Sequence, residues 1–327
     1  MVSFVKCSKC RAESPIQPEA NAIRCGYCHT ITRVPDRGMT PHVRGGPIRP
    51  PCGRKKAVIC GINYKGSGEN ELNGCINDAK SMKNLLINRF KFPESNIMLL
   101  TDEEKDRRRV PTRDNIIKAM SWLVDGARAG DSLVFHFAGH GTQEEDDDGD
   151  DADGFDEAIC PLDVETEGVI LDDEINDIIV KPIPHGAKLT AIIDACHSGT
   201  VLDLPFRCRI LNRRGQYVWK DHRPKSLEWK GTNGGEVIAI SGCADHQTSA
   251  EIKGFSKVID NGAMTYCFIQ AVEKGQATTY GNLFSTMKAS IRNITQIDSQ
   301  GNTTQLTQDL QLSSNERFDP YAKPFSL

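Results

Sequence analysis

From residue 56 onward, short β-branched apolar runs alternate with longer stretches in which apolar residues recur every three to four positions. A mostly parallel sheet with helices on both faces, joined by right-handed crossovers, is the architecture that accommodates this rhythm. The pattern predicts strands at 57–63 (AVICGIN), 96–100 (NIMLL), 131–139 (DSLVFHFAG), 189–194 (LTAIID) and 236–241 (EVIAIS). It predicts helices at 75–90, 112–127, around 172–180, 263–274 and 280–294. The fold class read from the sequence is therefore α/β.

Ligands of open parallel sheets bind beyond the carboxyl ends of the strands. Two of the predicted strands end in reactive residues, LVFHFAGHGT delivering His140 and TAIIDACHSG delivering Cys196. If these strands are neighbours, both side chains emerge at one rim, and an imidazole beside a thiol is the arrangement that activates a cysteine nucleophile. Cys196 would attack a carbonyl carbon as the thiolate, while His140 would protonate the departing amine and later activate water. The backbone amides of Cys196 and of a glycine beside His140, Gly139 or Gly141, are candidates for binding the oxyanion. The expected substrates are thus proteins or peptides.

With 38% hydrophobic and 26% charged residues, the chain of 327 residues has enough apolar surface for a full core. Its net charge of −4 does not mark a nucleic-acid binder. No apolar run nears the roughly 18 residues that span a bilayer, and MVSFVKCSKC lacks the apolar region of a secretory signal. The expectation is a soluble protein of the cytoplasm, also compatible with the nucleus, without membrane attachment. In such a reducing setting the 12 cysteines are read as ligands, nucleophiles or core residues before disulfides.

Cys7, Cys10, Cys25 and Cys28 form two C-x-x-C knuckles separated by fourteen residues. Four thiolates so spaced can close tetrahedrally on zinc, giving a structural site that holds together a segment too short for its own core. The expected organisation is a zinc-finger module at 1–34, a Pro/Gly/Arg-rich linker at 35–55 and a catalytic domain at 56–327.

The motifs HFAGHGT and DACHSGT resemble the histidine and cysteine motifs of caspase-like peptidases. LNGCINDA, GFDEAICPLD, ILDDEI, VLDLP and SGCADHQTSAE are similar to those of metacaspases in particular. The four-cysteine module and proline-bearing linker resemble those of plant type I metacaspases, whose finger is of the lesion-simulating-disease class. The resemblance implies a caspase-like sheet, a monomer, and cysteine endopeptidase activity after Arg or Lys, with a role in regulated cell death or stress. It assigns Asp78 and Asp194 to the substrate pocket, with Cys75 beside them. Carboxylates there suit a cationic side chain. Where the family usually has serine two residues before the histidine, this chain has Ala138.

Ten carboxylates crowd the fourteen residues from Glu144 to Glu157, but their spacing does not match an EF-hand, and most of the run reads as a solvated loop. The resemblance instead implies activating calcium on dispersed aspartates that map to Asp156, Asp172, Asp173 and Asp203. Oxygen-only ligands suit that ion.

Eight Arg or Lys and only two acids occur between Asp203 and Gly235. The span 204–235 is read as a flexible basic linker between a large part (56–203) and a small part (236–327), cut by the enzyme's own site in the manner of a zymogen. Arg214, Lys225 and Lys230 are candidate cut positions. Nucleic-acid contact is the weaker reading, because no folded nucleic-acid motif accompanies the charges. The alternative to a peptidase is an adaptor, with the zinc module binding a partner protein and the peptidase domain weak or inactive.

Overall fold

The computed structural model describes residues 3–7, 9–16, 22–24, 31–33, 53–145, 155–195, 200–210, 217–223, 230–243, 262–297, 303–305 and 309–327. It divides into two compact units, Met1–Pro50 and Pro51–Leu327. In the first, β1 (Ser3–Lys6) pairs antiparallel with β2 (Glu13–Ile16), and β3 (Ala22–Arg24) pairs antiparallel with β4 (Ile31–Arg33).

The second unit is built around an eight-stranded sheet. In chain order its elements are β5 (Lys55–Gly61), α1 (Cys75–Asn88), β6 (Ile97–Thr101), α2 (Arg113–Val124), β7 (Ser132–Ala138), β8 (Gly141–Glu145), β9 (Phe155–Ile159), α3 (Val164–Glu167), β10 (Ile170–Leu171) and α4 (Asp172–Ile175). A π-helical turn, Asn176–Val180, continues α4. There follow β11 (Lys188–Asp194), β12 (Phe206–Ile210), β13 (Tyr217–Asp221), β14 (Glu236–Cys243), α5 (Ala263–Glu273), α6 (Tyr280–Arg292), β15 (Thr295–Ile297), β16 (Thr303–Gln305) and β17 (Asp309–Ser314). The large sheet runs β13-β12-β17-β14-β11-β7-β5-β6. Its five strands from β14 to β6 are parallel, and β17, β12 and β13 extend it antiparallel at one edge.

Each central strand buries both faces, which is why it reads as a continuous apolar run rather than an alternation. Leu133, Phe135 and Phe137 of β7 pack with Ile116, Met120 and Leu123 of α2. Val134 of β7 and Ile192 of β11 face the opposite layer, which holds Met82 and Leu86 of α1 and Phe268 of α5. Burying each such side chain contributes about 1.5–3 kcal/mol, so truncating Phe135, which is fully buried, to Ala costs about 3–5 kcal/mol. The helices start where polar groups accept their free amides. Asn63 Oδ1 accepts from the amides of Gly74 and Ile76 at α1, and Thr112 Oγ1 accepts from the Asn115 amide at α2. No helix among the described residues is long and apolar enough to cross a membrane.

Two expectations change. The span 204–235 was expected to be a flexible connection, yet it supplies β12 and β13. Its bases hide a strand: Cys208 is buried while Arg209 is exposed, and Trp219 packs inward with its Nε1–H donated to the Phe318 carbonyl at 2.7 Å. Alternation with charged outer positions looks like basic linker composition until the inner face is identified. Lys230, taken as a cut position on an exposed connection, is 5% exposed and ion-paired. Arg214 and Lys225 lie outside the described residues. The flanks of the acidic run also fold, as β8 and β9 of a small antiparallel sheet with β10.

Candidate active site

β7 and β11 are parallel neighbours with Ala138 opposite Asp194. The two strands therefore end level, and the Gly139 amide donates to the Asp194 carbonyl at 3.3 Å, stitching the loops that leave them. His140 is the second residue beyond β7, and Cys196 is the second beyond β11 in sequence. Cys196, with residues 197–199, lies outside the described residues.

His140 is held on three sides. Its backbone amide donates to the Tyr64 hydroxyl at 2.9 Å, its ring lies 4.6 Å from the Tyr64 ring, and its Nε2 is 2.7 Å from the Asn70 carbonyl. A carbonyl only accepts, so Nε2 carries the hydrogen and, in the neutral ring, Nδ1 is the basic nitrogen. Tyr64, buried and with positive φ, donates in turn to the Cys160 carbonyl at 2.6 Å. Neither Tyr64 nor Asn70 was visible as a site residue in the sequence. One acts through a hydroxyl far from the motif and the other through a backbone carbonyl.

Of the two glycines weighed for the oxyanion, Gly139 is excluded by its bond to Asp194. The Cys160 amide donates to the His140 carbonyl, so Gly141 and Ile159 form a non-hydrogen-bonded pair and the Gly141 amide points away from β9. A cavity of about 760 Å³ opens beside the imidazole, lined by Tyr64, Asn70, His140, Cys160, Leu162 and Glu165.

The structure brings the three expected pocket residues together. Asp78 is fully buried on α1, and its Oδ2 accepts the Gly262 amide at 2.7 Å. Asp194 Oδ2 accepts the Thr265 amide at 2.8 Å. The start of α5 thus binds both carboxyls, as helix N-termini bind anions. Burial first, and then the Asp194 charge, push Asp78 well above the usual carboxylate range, against the pull of the Gly262 amide. Its Oδ1 is buried with no hydrogen-bond partner among the described residues. Burial, followed by the charges of Asp78 and Asp194, likewise raises the thiol of Cys75. Burial also raises Cys60, pushes Cys160 up to about 11, and pushes Cys208 and Cys267 up to about 12. These thiols are poor sources of thiolate near neutral pH.

Of the four aspartates expected for calcium, Asp172 and Asp173 lie on α4, and Asp203 is joined to Asp173 through Lys230. Asp172 Oδ2 accepts the Glu157 amide at 3.3 Å, and its Oδ1 accepts the Asp173 amide at 3.0 Å. Lys230 Nζ lies 3.1 Å from Asp173 Oδ1 and 2.7 Å from Asp203 Oδ2. Asp156 precedes Glu157 on β9, and the Thr200 hydroxyl donates to the Glu157 carboxylate. The donor set is oxygen only, which suits a hard cation. Among the described residues no group of three or more metal-ligating side chains converges.

In the amino-terminal unit Cys7 is buried, and its Sγ accepts the Lys9 amide at 3.4 Å in the turn between β1 and β2. Cys10 is exposed in the same turn. An amide donated to sulfur within a tight C-x-x-C turn fits a thiolate ligand of zinc. Cys25 and Cys28, between β3 and β4 in sequence, lie outside the described residues.

Residues 55–205 match the family described as "Metacaspase, peptidase C14 domain". The chain is similar to Metacaspase-1 of Arabidopsis thaliana at 51% identity, covering 99% of this chain and 96% of that one. It is 41% identical to Metacaspase-2 of the same plant, with both chains covered in full. Its backbone is similar to the crystal structure of protein GSU0716 from Geobacter sulfurreducens, with a TM-score of 0.53 at 20% identity, covering 84% of this chain and 97% of that one.

Proposed function

The chain belongs to the plant metacaspases, cysteine endopeptidases of the C14 family, and from that premise we propose that Cys196 and His140 form its catalytic pair and that it cuts after Arg or Lys. The observation that carries this reading is the register of β7 and β11, parallel neighbours that end level, each two residues in sequence before one of the pair. The buried, raised thiols elsewhere in the domain support the choice of Cys196.

The Cys196 thiol passes its proton to Nδ1 of His140, and the thiolate adds to the scissile carbonyl carbon as the carbonyl electrons move to oxygen. The amides of Cys196 and Gly141 receive that oxyanion. As the C–N bond breaks, His140 returns the proton to the departing amine, for which the adjacent cavity offers room, leaving a thioester. Nδ1 then takes a proton from water, whose oxygen adds to the thioester carbonyl and displaces the sulfur, which recovers that proton from Nδ1 as the acid is freed. The hydrogen bond to the Asn70 carbonyl holds the ring in place through both half-reactions.

Asp78 and Asp194 present two carboxyls to a guanidinium or ammonium, and the Oδ1 of Asp78, with no hydrogen-bond partner among the described residues, is an acceptor for its N–H. The same preference directs the enzyme to its own basic stretch, within 211–216 or 224–229. Calcium held by Asp156, Asp172, Asp173 and Asp203 would neutralise crowded carboxylates, and zinc on Cys7, Cys10, Cys25 and Cys28 would close the amino-terminal module. Glu157, joined to Asp172 and to Thr200, links that cluster to the turn that follows the nucleophile. The reading is of a monomeric, self-processing enzyme of the cytoplasm or nucleus, acting in regulated cell death or stress, with a finger available to a partner protein.

The test is hydrolysis of Arg-ended, Lys-ended and Asp-ended peptide reporters by the purified chain, with calcium and with chelator, beside Cys196→Ala and His140→Ala. Arg and Lys cleavage that needs calcium and both residues is expected. Equal activity of Cys196→Ala rejects the catalytic assignment, and equal cleavage after Asp rejects the pocket.

A further inference from the structure

Lys230 is 5% exposed, and its ammonium lies 2.7 Å from Asp203 Oδ2 and 3.1 Å from Asp173 Oδ1. Taking an ammonium out of water is expensive, so a buried lysine persists where carboxylates compensate it. The backbone closes round the same spot. Asn176 Nδ2 donates to the carbonyls of Leu202 at 2.9 Å, Asp203 at 3.0 Å and Lys230 at 3.4 Å. Asp203 is held at a φ of 45°, a left-handed conformation that an aspartate adopts where such anchoring compensates it.

Asp173 and Asp203 are two of the four carboxylates assigned above to calcium. Calcium takes carboxylate oxygens at about 2.3–2.6 Å, and a divalent ion that close to both would sit within a few ångströms of the ammonium. Two positive charges at that separation inside a protein repel strongly. The cluster therefore holds one cation or the other.

We propose that Lys230 is a tethered counter-ion of this cluster, competing with calcium for Asp173 and Asp203, so that calcium binding expels the lysine into solvent. The proposal rests on the calcium reading under Proposed function and adds to it the chain's own competitor. Without metal, the ammonium pins the end of the basic stretch to the turn at 200–204, which follows the nucleophile. With metal, the stretch loses that tie to the turn.

Two measurements test it, both in the full-length Cys196→Ala protein, which on the catalytic assignment cannot cut itself. The first is calorimetric calcium binding with the further changes Lys230→Met and Lys230→Arg, counting only the binding that Asp203→Asn abolishes. Removing the competing charge is expected to tighten calcium by about tenfold or more in Lys230→Met and to leave Lys230→Arg near the parent. Unchanged or weaker binding by Lys230→Met overturns the competition. No Asp203-dependent binding by any of the three overturns the calcium reading itself, and the competition with it.

The second measurement needs no change at Lys230. Lysine acetylation followed by mass spectrometry is expected to label Lys230 slowly in chelator and at least about tenfold faster in saturating calcium, as burial gives way to exposure. Equal labelling in the two conditions, with calcium bound, overturns the proposal.

Discussion

Replacing Gly262 by alanine isolates the contribution of the α5 terminus to substrate recognition. The backbone there has a φ of −63° and a ψ of 140°, open to any residue, so the change introduces no conformational strain. A Cβ at this position would stand 2.5 Å from Asp194 Oδ2 and 2.9 Å from Asp78 Oδ2. Ordinary carbon–oxygen contact needs roughly 3.3 Å or more, so the carboxyls and the helix must part by several tenths of an ångström. The bonds that suffer are those from the Gly262 amide to Asp78 at 2.7 Å and from the Thr265 amide to Asp194 at 2.8 Å. A hydrogen bond to a charged group contributes about 1.5–3 kcal/mol. Losing one of them to carboxylates that must meet a cation predicts a fall in kcat/KM of about 10- to 150-fold on an Arg-ended reporter. The loss is expected as a rise in KM, because the pocket holds the side chain and not the reacting atoms. Steady-state kinetics, beside iodoacetamide labelling of Cys196 to verify the nucleophile, decide it. Unchanged KM, or a loss confined to kcat, refutes the pocket assignment of Asp78 and Asp194.

Three further outcomes follow from buried groups. Tyr64→Phe removes the donor to the Cys160 carbonyl and the acceptor of the His140 amide; it is expected to lower stability by about 1–3 kcal/mol in urea unfolding and to lower kcat with little change in KM. His136 is fully buried and its burial lowers it from 6.5 to about 3, so the neutral ring's contribution is whole above pH 6.5 and is lost as pH falls toward 3. Between pH 7 and pH 4.5, His136→Gln should lose about 2–3 kcal/mol less stability than the parent, and parallel curves would contradict this. Asp78, raised above its usual range, contributes stability that is fully present below its unfolded value of 3.8 and is lost as pH rises through its raised one. Its ionised form is the one that meets a cation, so KM for Arg-ended substrate should fall over that same rise, an effect absent in Asp78→Asn.

What the sequence disclosed and what it withheld have physical reasons. The runs that became β7 and β11 were legible because strands covered on both faces leave no polar alternation to confuse, and because Gly139 and Asp194 end them sharply. β12 was hidden by Arg207 and Arg209, charged outer positions on a strand whose inner face carries Cys208. The family motifs pointed to Asp78, but nothing in the helical spacing of α1 said it would be fully buried against the first turn of α5. Lys230 looked like an exposed basic residue because its partners, Asp173 and Asp203, come from distant segments. Asn70 was out of reach altogether, since the group that meets His140 is a main-chain oxygen that every residue type possesses.

The strand order bears on what a cut in the basic stretch would yield. β14 and β17, from the downstream portion, sit in the sheet between β11 on one flank and β12 on the other, both of which are upstream. Severing the chain would leave two pieces interleaved like clasped fingers, zipped to each other along two separate seams after a cut at 224–229 and along three after a cut at 211–216, where β13 goes with the downstream piece. Such a product would migrate as one particle under native conditions and as two bands only after denaturation, so processing would change the freedom of loose ends while the body stayed whole.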